Sequence, residues 1–297
     1  YLHLELKNKT HTHGGYHAFN ISDPKPRNIH KASVRDRLLH HAIYRVLYPF
    51  FDRRFIYDSY SCRLGKGTHK AINRFREFGC KVSKNNTKTC FVLKCDIRKF
   101  FASIDQEILL DILKAHISDK DIIWLLEKVV KSFSSGSPNK TYNVSSQVLK
   151  NLRTYSKGLP LGNLTSQLLV NTYMNEFDQF VKHKLKVKYY IRYADDFVIL
   201  SNKKDYLLKT YRYIDRFLKD NLKLDLHPDK VFIKTLSSGV DFLGWVHFPD
   251  HRVLRTTTKR RMIKMIRANP KKEITQSYLG LLKHGNTYKL KEYLVIQ

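Results

Sequence analysis

Two kinds of hydrophobic spacing alternate along this chain. Phe91 to Cys95, Tyr189 to Tyr193 and Phe197 to Leu200 are short apolar runs rich in Phe, Tyr, Val and Ile, the composition of buried strands. The last two runs leave about two residues for a turn between them, which predicts a hairpin. Between Val34 and Phe51, Leu38, Leu39, Ala42, Ile43, Val46 and Leu47 recur at helical spacing, which predicts a packed stripe with the basic residues facing out. Gly65 to His69 reads as a loop before a helix from Lys70. It lacks the full phosphate-loop pattern and so is no nucleotide motif.

Further helices are expected over Gln106 to His116, Lys120 to Ser132, Ser166 to Leu185 and Leu207 to Leu222. In Ser166 to Leu185 the packing positions are Leu168, Leu169, Thr172, Phe177 and Phe180. From Arg255 onward the pattern is helical and basic, with Lys259, Arg260, Arg261, Lys264 and Arg267, and Pro270 breaks it. Phe133 to Lys157 is rich in Ser, Asn, Lys and Gly with little periodicity, and reads as a surface insertion. No internal repeat, heptad run or low-complexity tract is visible.

Charge narrows the partner. Lys and Arg number 55 against 26 Asp and Glu, a formal net charge of +29 in 297 residues, which points to a polyanion and best to nucleic acid. A membrane-binding role lacks any run of 18 or more apolar residues or a secretory signal. With 42% hydrophobic residues the charge belongs to a folded domain. Cys62, Cys80, Cys90 and Cys95 show no C-x-x-C spacing, and reduced thiols in a cytoplasmic protein are expected. His11, His13 and His17 have no Cys or carboxylate at ligand spacing. A first residue Tyr1 rather than Met leads us to expect a trimmed chain.

Candidate chemistry lies where strands end in acid. The predicted hairpin carries Ala194-Asp195-Asp196 at its tip, although Ala-Asp is a poor turn pair beside Asn-Gly, so a strained turn kept for its carboxylates is expected. Asp96 ends the Phe91 to Cys95 strand. If the strands are neighbours, Asp96, Asp195 and Asp196 converge. Hard oxygen donors of this kind suit Mg²⁺, or Mn²⁺, and a pair of ions roughly 3.5–4 Å apart activates a hydroxyl and stabilises a leaving pyrophosphate. A purely structural triad, or a solvated loop pair, is the alternative.

From end to end the chain resembles a reverse transcriptase. The strand ending in Asp96 resembles the A motif, Gly158-Leu159-Pro160-Leu161-Gly162-Asn163-Leu164-Thr165-Ser166-Gln167 the B motif, and Tyr193-Ala194-Asp195-Asp196 the YxDD C motif. Leu224 to Lys230 resembles the D motif and Val240 to Trp245 the primer-grip E motif. Within that family, Leu161-Gly162-x-x-x-Ser166-Gln167 is similar to the enzymes of diversity-generating retroelements, where most others have Gln-Gly-x-x-x-Ser-Pro. Lys25-Pro26-Arg27, Arg35-Asp36-Arg37 and the stretch from Asp58 to His69 also look like that group.

The resemblance implies an α/β (α+β) right-hand polymerase. Residues 1–90 would form the N-terminal segment and fingers, 91–254 an antiparallel-sheet palm, and 255–297 a short helical thumb. It implies metal ligation by Asp96, Asp195 and Asp196 with Ile97 alongside, and Lys230 as proton donor to the pyrophosphate. Arg27, Lys25, Phe101, Leu161, Gly162 and Gln167 would serve the incoming nucleotide, with Phe101 excluding a ribose 2′-hydroxyl. Tyr193, Phe242, Leu243 and Gly244 would meet primer and template. Core packing remains the alternative for Phe101 and Phe242, and a solvated basic surface for Arg27, Lys25 and Lys230. The implied partners are template RNA, primer and cDNA product, dNTPs and a basic accessory protein, in a bacterial, archaeal or phage-encoded cytoplasmic setting. A group II intron-like or other bacterial reverse transcriptase, and a non-catalytic RNA-binding scaffold, stay open.

Overall fold

The computed structural model describes residues 1–22, 26–135 and 157–296. Most of the expected insertion, residues 136–156, therefore lies outside the described residues. Two compact units emerge: one comprises Tyr1–Tyr57, Ile97–Lys186 and Tyr213–His227, the other Asp58–Asp96, Val187–Arg212 and Pro228–Gln297.

In the first unit a short helix, Leu2–Lys7, precedes a two-stranded antiparallel ribbon, β1 (Tyr16–Ile21) and β2 (Arg27–Ala32), in register Tyr16 to Ala32. Helix Val34–Asp52 follows, its N-terminus capped by Ser33, whose hydroxyl accepts from the Asp36 amide. Only part of the predicted stripe on this helix is core: Leu39, Ile43 and Leu47 are buried, whereas Leu38, Ala42 and Val46 are exposed. The two sets lie on adjacent rows of one helix, and only one row meets the interior. Helices Gln106–His116 and Lys120–Lys131 fall where periodicity predicts them, each started by an aspartate, Asp105 and Asp119, that accepts two backbone amides.

Helix Leu164–Gln179 forms the interior of this unit. Leu168, Leu169, Val170, Tyr173, Met174 and Phe177 are all buried, and the helix ends in a π-helical turn, Phe180–Lys184. Phe180 stacks on Phe217 with ring centroids 4.1 Å apart.

The second unit is built on an antiparallel sheet ordered β4-β5-β3-β6, from Tyr190–Tyr193, Asp196–Ser201, Phe91–Asp96 and Phe232–Thr235 respectively. Helix Thr68–Val82 covers it with Ala71, Phe75, Phe78 and Val82, one face at i, i+4, i+7 and i+11, which join Val92, Val198, Leu200 and Phe242 in one core. A three-stranded sheet, β7 (Val240–Phe242), β8 (Trp245–His247) and β9 (Arg252–Leu254), leads into helices Thr256–Ala268, Lys272–Leu282 and Tyr288–Ile296. Their apolar sides close over Trp245 through Met262, Ile266, Leu282 and Leu294. Lys259, Arg260, Lys264 and Arg267 of the basic helix remain exposed.

Candidate active site

Strand order brings the three acidic residues to one end of the sheet. β3 and β5 are neighbours, and their register sets Asp96 directly opposite Asp196. β4 and β5 pair Tyr193 with Asp196, so Ala194 and Asp195 are the two turn residues, as the sequence predicts. Ala194 has φ +56°, in the left-handed region, where a side chain with a Cβ costs roughly 1–2 kcal/mol.

Arg192 supplies the compensating contacts. Its side chain is fully buried, and its guanidinium donates from Nη1 to the Ala194 carbonyl and from Nη2 to Ser59 Oγ, both at 3.1 Å. The backbone of Arg192 is held as well: its amide donates to the Asp58 carbonyl at 3.0 Å, and its carbonyl accepts from the Tyr60 amide at 2.9 Å. Asp58 in turn pairs with Arg74 at 2.9 Å. The Asp58 to Tyr60 segment thus fastens onto the strand that presents the acidic turn, and Thr68 Oγ1 adds a bond to the Tyr193 hydroxyl at 3.2 Å.

Two lysines answer the carboxylates. Lys94 Nζ lies 3.2 Å from Asp196 Oδ2, with side chains only 11% and 18% exposed, and Lys230 Nζ lies 2.9 Å from Asp96 Oδ1. Burial is the largest influence on Asp196 and pushes its carboxyl up to about 7. Lys94 opposes that shift, while Asp96 and Asp195 reinforce it. Asp196 Oδ1 is buried and accepts no hydrogen bond.

That orphaned oxygen, between carboxylates that need countercharge, fits a hard divalent cation. Among the described residues no set of three or more His, Cys, Asp or Glu is gathered closely enough to enclose a metal. The donors suit such an ion without forming a finished cage.

Lys94 was not among the residues that motif reasoning selects. Its signal was present all the same, as a lone charge inside the apolar run Phe91-Val92-Leu93-Lys94-Cys95. Arg192 is the same kind of signal, between Ile191 and Tyr193.

Around the second hairpin, Leu243 (φ +51°) and Gly244 (φ +87°) form the β7–β8 turn, both left-handed as a type I′ connection requires. Phe242 is fully buried against Phe75, centroids 5.4 Å apart, so its side chain is core and only the turn beyond it is presented.

The remaining predicted residues belong to the first unit. Arg27 is exposed at the start of β2, while Lys25 lies outside the described residues. The Leu161 carbonyl accepts from the His30 amide of that strand at 2.9 Å, and Asn163 Nδ2 donates to the His30 carbonyl at 2.8 Å. Gly162 has φ +111°, and a Cβ there would stand 2.7 Å from Ile29 Cγ2, so glycine is required for the loop to lie on β2. On the other side of this loop, the Leu159 amide donates to the Phe101 carbonyl at 2.8 Å and the Gly158 amide to the Ile104 carbonyl at 2.7 Å.

Phe100 is buried and Phe101, edge-on to it at 5.6 Å, is half-exposed. Gln167 is half-exposed on the first turn of helix Leu164–Gln179. Ile97 is buried, in a backbone bridge with Leu226. This unit therefore gathers the strand of Arg27, the loop of Leu161 and Gly162, and Phe101.

Comparison with known proteins agrees with these motifs. The chain is 24% identical over 286 residues to protein YkfC of Escherichia coli, covering 85% of this chain and 69% of YkfC. It is 24% identical over 304 residues to the group II intron-encoded protein LtrA of Lactococcus lactis, covering 81% of this chain and 47% of LtrA. Among solved structures, an apo telomerase from Candida tropicalis superposes with a TM-score of 0.54 at 11% identity, over 79% of this chain and 47% of that one. A Candida albicans telomerase with a fragment of telomeric RNA gives 0.53 at 11%, over 90% and 52%. These likenesses give the fold, a mixed α/β polymerase fold with antiparallel sheets and helices, and the chain spans about half the length of LtrA and of the telomerases. Residues 20–247 match the family model described as reverse transcriptase (RNA-dependent DNA polymerase), and the chain belongs to that family.

Proposed function

We propose that the protein copies an RNA template into DNA, with Asp96, Asp195 and Asp196 as the reacting centre. The observation that carries this reading is the register of Asp96 against Asp196 on neighbouring strands, with Asp195 in the turn and a buried, unbonded Asp196 oxygen. Asp96, Asp195 and Asp196, with the Ile97 backbone, would hold Mg²⁺ or Mn²⁺, which when bound activates a primer 3′-hydroxyl and neutralises pyrophosphate. The chain's own groups do the rest. Lys230, ion-paired to Asp96, carries a proton that the departing pyrophosphate can take, and Lys94 opposes the protonation that burial favours at Asp196.

By motif match, Arg27 and Lys25 bind the triphosphate, Phe101 excludes a ribose 2′-hydroxyl, and Leu161, Gly162 and Gln167 support the nucleotide. Tyr193 and the Leu243–Gly244 turn meet the primer strand. Template, primer and dNTPs are polyanions, which the +29 charge attracts. Asp96→Asn and Asp196→Asn should each abolish most primer extension on RNA while leaving RNA affinity near wild type. Near wild-type extension by both variants refutes the assignment.

At the level of subtype we propose an error-prone enzyme of a diversity-generating retroelement, working with a basic accessory protein. Leu161-Gly162-x-x-x-Ser166-Gln167 supports it. The relationship to LtrA favours a second reading, an intron-type enzyme. Sequencing cDNA made by the purified protein separates them, since errors concentrated at template adenines belong to the first reading only.

A further inference from the structure

A cavity of about 300 Å³ opens in the second unit between helix Thr68–Val82, the β8–β9 turn and the segment Lys283 to Asn286. β8 carries the Leu243–Gly244 turn at one end and the β8–β9 turn at the other, so the cavity sits at the far end of that strand from the proposed primer contact. Arg76, Arg252, Lys283, His251 and His284 all line it. Its single carboxylate, Asp250, is already engaged by His251 Nδ1 at 2.7 Å. Among the described residues neither Arg76 nor Lys283 has an acidic partner.

Arg252 is held in place without being neutralised. Its Nε donates to the His284 carbonyl and its Nη2 to Asn73 Oδ1 at 2.7 Å, both neutral acceptors, while Nη1 is buried with no partner. The His284 ring, which stacks on His69 at 3.6 Å, fixes the backbone that Arg252 grips. Burial, with Arg76 adding to it, draws the Arg252 guanidinium below its usual range, and His284 is lowered in the same way by burial, His69 and Arg252. Burial comes first in both shifts, and neighbouring positive charge adds to it.

An anchored guanidinium with an idle N–H, beside a free guanidinium and an ammonium, suits a tetrahedral anion with several acceptor oxygens. We infer that this cavity is a phosphate-binding site separate from the carboxylate centre, filled either by a phosphate of bound RNA or by a free phosphate ion.

The test compares wild type, the pocket variant Arg76→Gln/Lys283→Gln and a charge-matched control, Lys203→Gln/Lys209→Gln, whose residues are exposed elsewhere in the same unit. One arm titrates inorganic phosphate against chloride at constant ionic strength, followed by ³¹P line broadening; the other measures RNA affinity as a function of salt. Circular dichroism and thermal melting establish that all three proteins are folded. Losing a charge-assisted contact weakens binding by on the order of tenfold. The pocket variant should therefore lose phosphate binding by at least that factor while the control keeps it. If its RNA affinity also falls further than the control's, with a salt slope shallower by about 1–2, the occupant is a strand phosphate. An unchanged RNA affinity assigns the pocket to free phosphate. Pocket and control variants that match each other in both arms overturn the inference.

Discussion

Replacing Lys94 by Met tests the electrostatics of the carboxylate centre with little change of shape. The ammonium stands 3.2 Å from Asp196 Oδ2, and at the effective dielectric of a protein interior, about 20, that contact is worth about 5 kcal/mol before solvation and relaxation. Allowing for those opposing terms, about 1.5–3 kcal/mol remains, which raises the titration of Asp196 by about one to two pH units above its already elevated value of about 7. The same substitution removes a positive charge that repels a divalent cation. The two consequences have opposite signs, and pH decides between them. Near pH 6.5 the variant carries a protonated Asp196 and should need about tenfold more Mg²⁺ for half-maximal primer extension than wild type. At pH 9, with Asp196 increasingly ionised and Lys94 absent, the requirement should approach or fall below that of wild type. Magnesium titrations of extension rate at several pH values provide the measurement. A Mg²⁺ requirement displaced by one constant factor at every pH would refute the reasoning, because it would show that Lys94 acts through something other than the protonation of Asp196.

Asp196 should also leave a mark on stability. Its native carboxyl titrates at about 7 and its unfolded one at 3.8, so between those values the native state holds one more proton and stability falls as pH rises, by at most on the order of 4 kcal/mol; urea midpoints in metal-free buffer should show this slope, and Asp196→Asn should flatten it. Ala194→Gly relieves the left-handed turn and should raise the free energy of unfolding by about 0.5–1 kcal/mol, seen as a higher urea midpoint, with an unchanged or lower midpoint speaking against strain there. Phe101→Ala should lower the ratio of kcat/KM for dNTP over rNTP, and a ratio equal to wild type returns Phe101 to a packing role. Leu161→Gln introduces a polar group worth on the order of 0.5–1.5 kcal/mol where the chain offers only an apolar contact, and should lower errors at template adenines; a folded, active variant with the wild-type error spectrum removes Leu161 from fidelity.

What the sequence revealed and what it hid divide along a physical line. Strands and acidic turn were legible because continuous apolar runs, the short gap between them and terminal carboxylates are local patterns, and the register of Asp96 with Asp196 follows once β3 and β5 are neighbours. Helix Val34–Asp52 was legible as a helix but not in its burial, since the exposed row of Leu38, Ala42 and Val46 is apolar like the buried row of Leu39, Ile43 and Leu47. Periodicity reports which residues share a row, and only tertiary contact decides which row is covered.

Lys94 and Arg192 show the same boundary from the opposite side. Each interrupts an apolar strand with a charge that a packed sheet would ordinarily exclude, because an unpaired buried cation costs several kcal/mol. Such an interruption says that a partner exists without naming it. Here the partners come from remote parts of the chain: Asp196 lies about a hundred residues beyond Lys94, and Ser59 more than a hundred before Arg192. One charge sustains a buried carboxylate, and the other sustains the left-handed turn that presents its neighbour Asp195. The site motif YADD is therefore the visible part of a larger unit, in which a lysine one strand away sets the charge and the segment Asp58 to Tyr60 fixes the geometry. Transplanting the four motif residues onto another hairpin would carry the carboxylates but neither the countercharge nor the clamp, and the Ala194 turn would relax toward ordinary backbone.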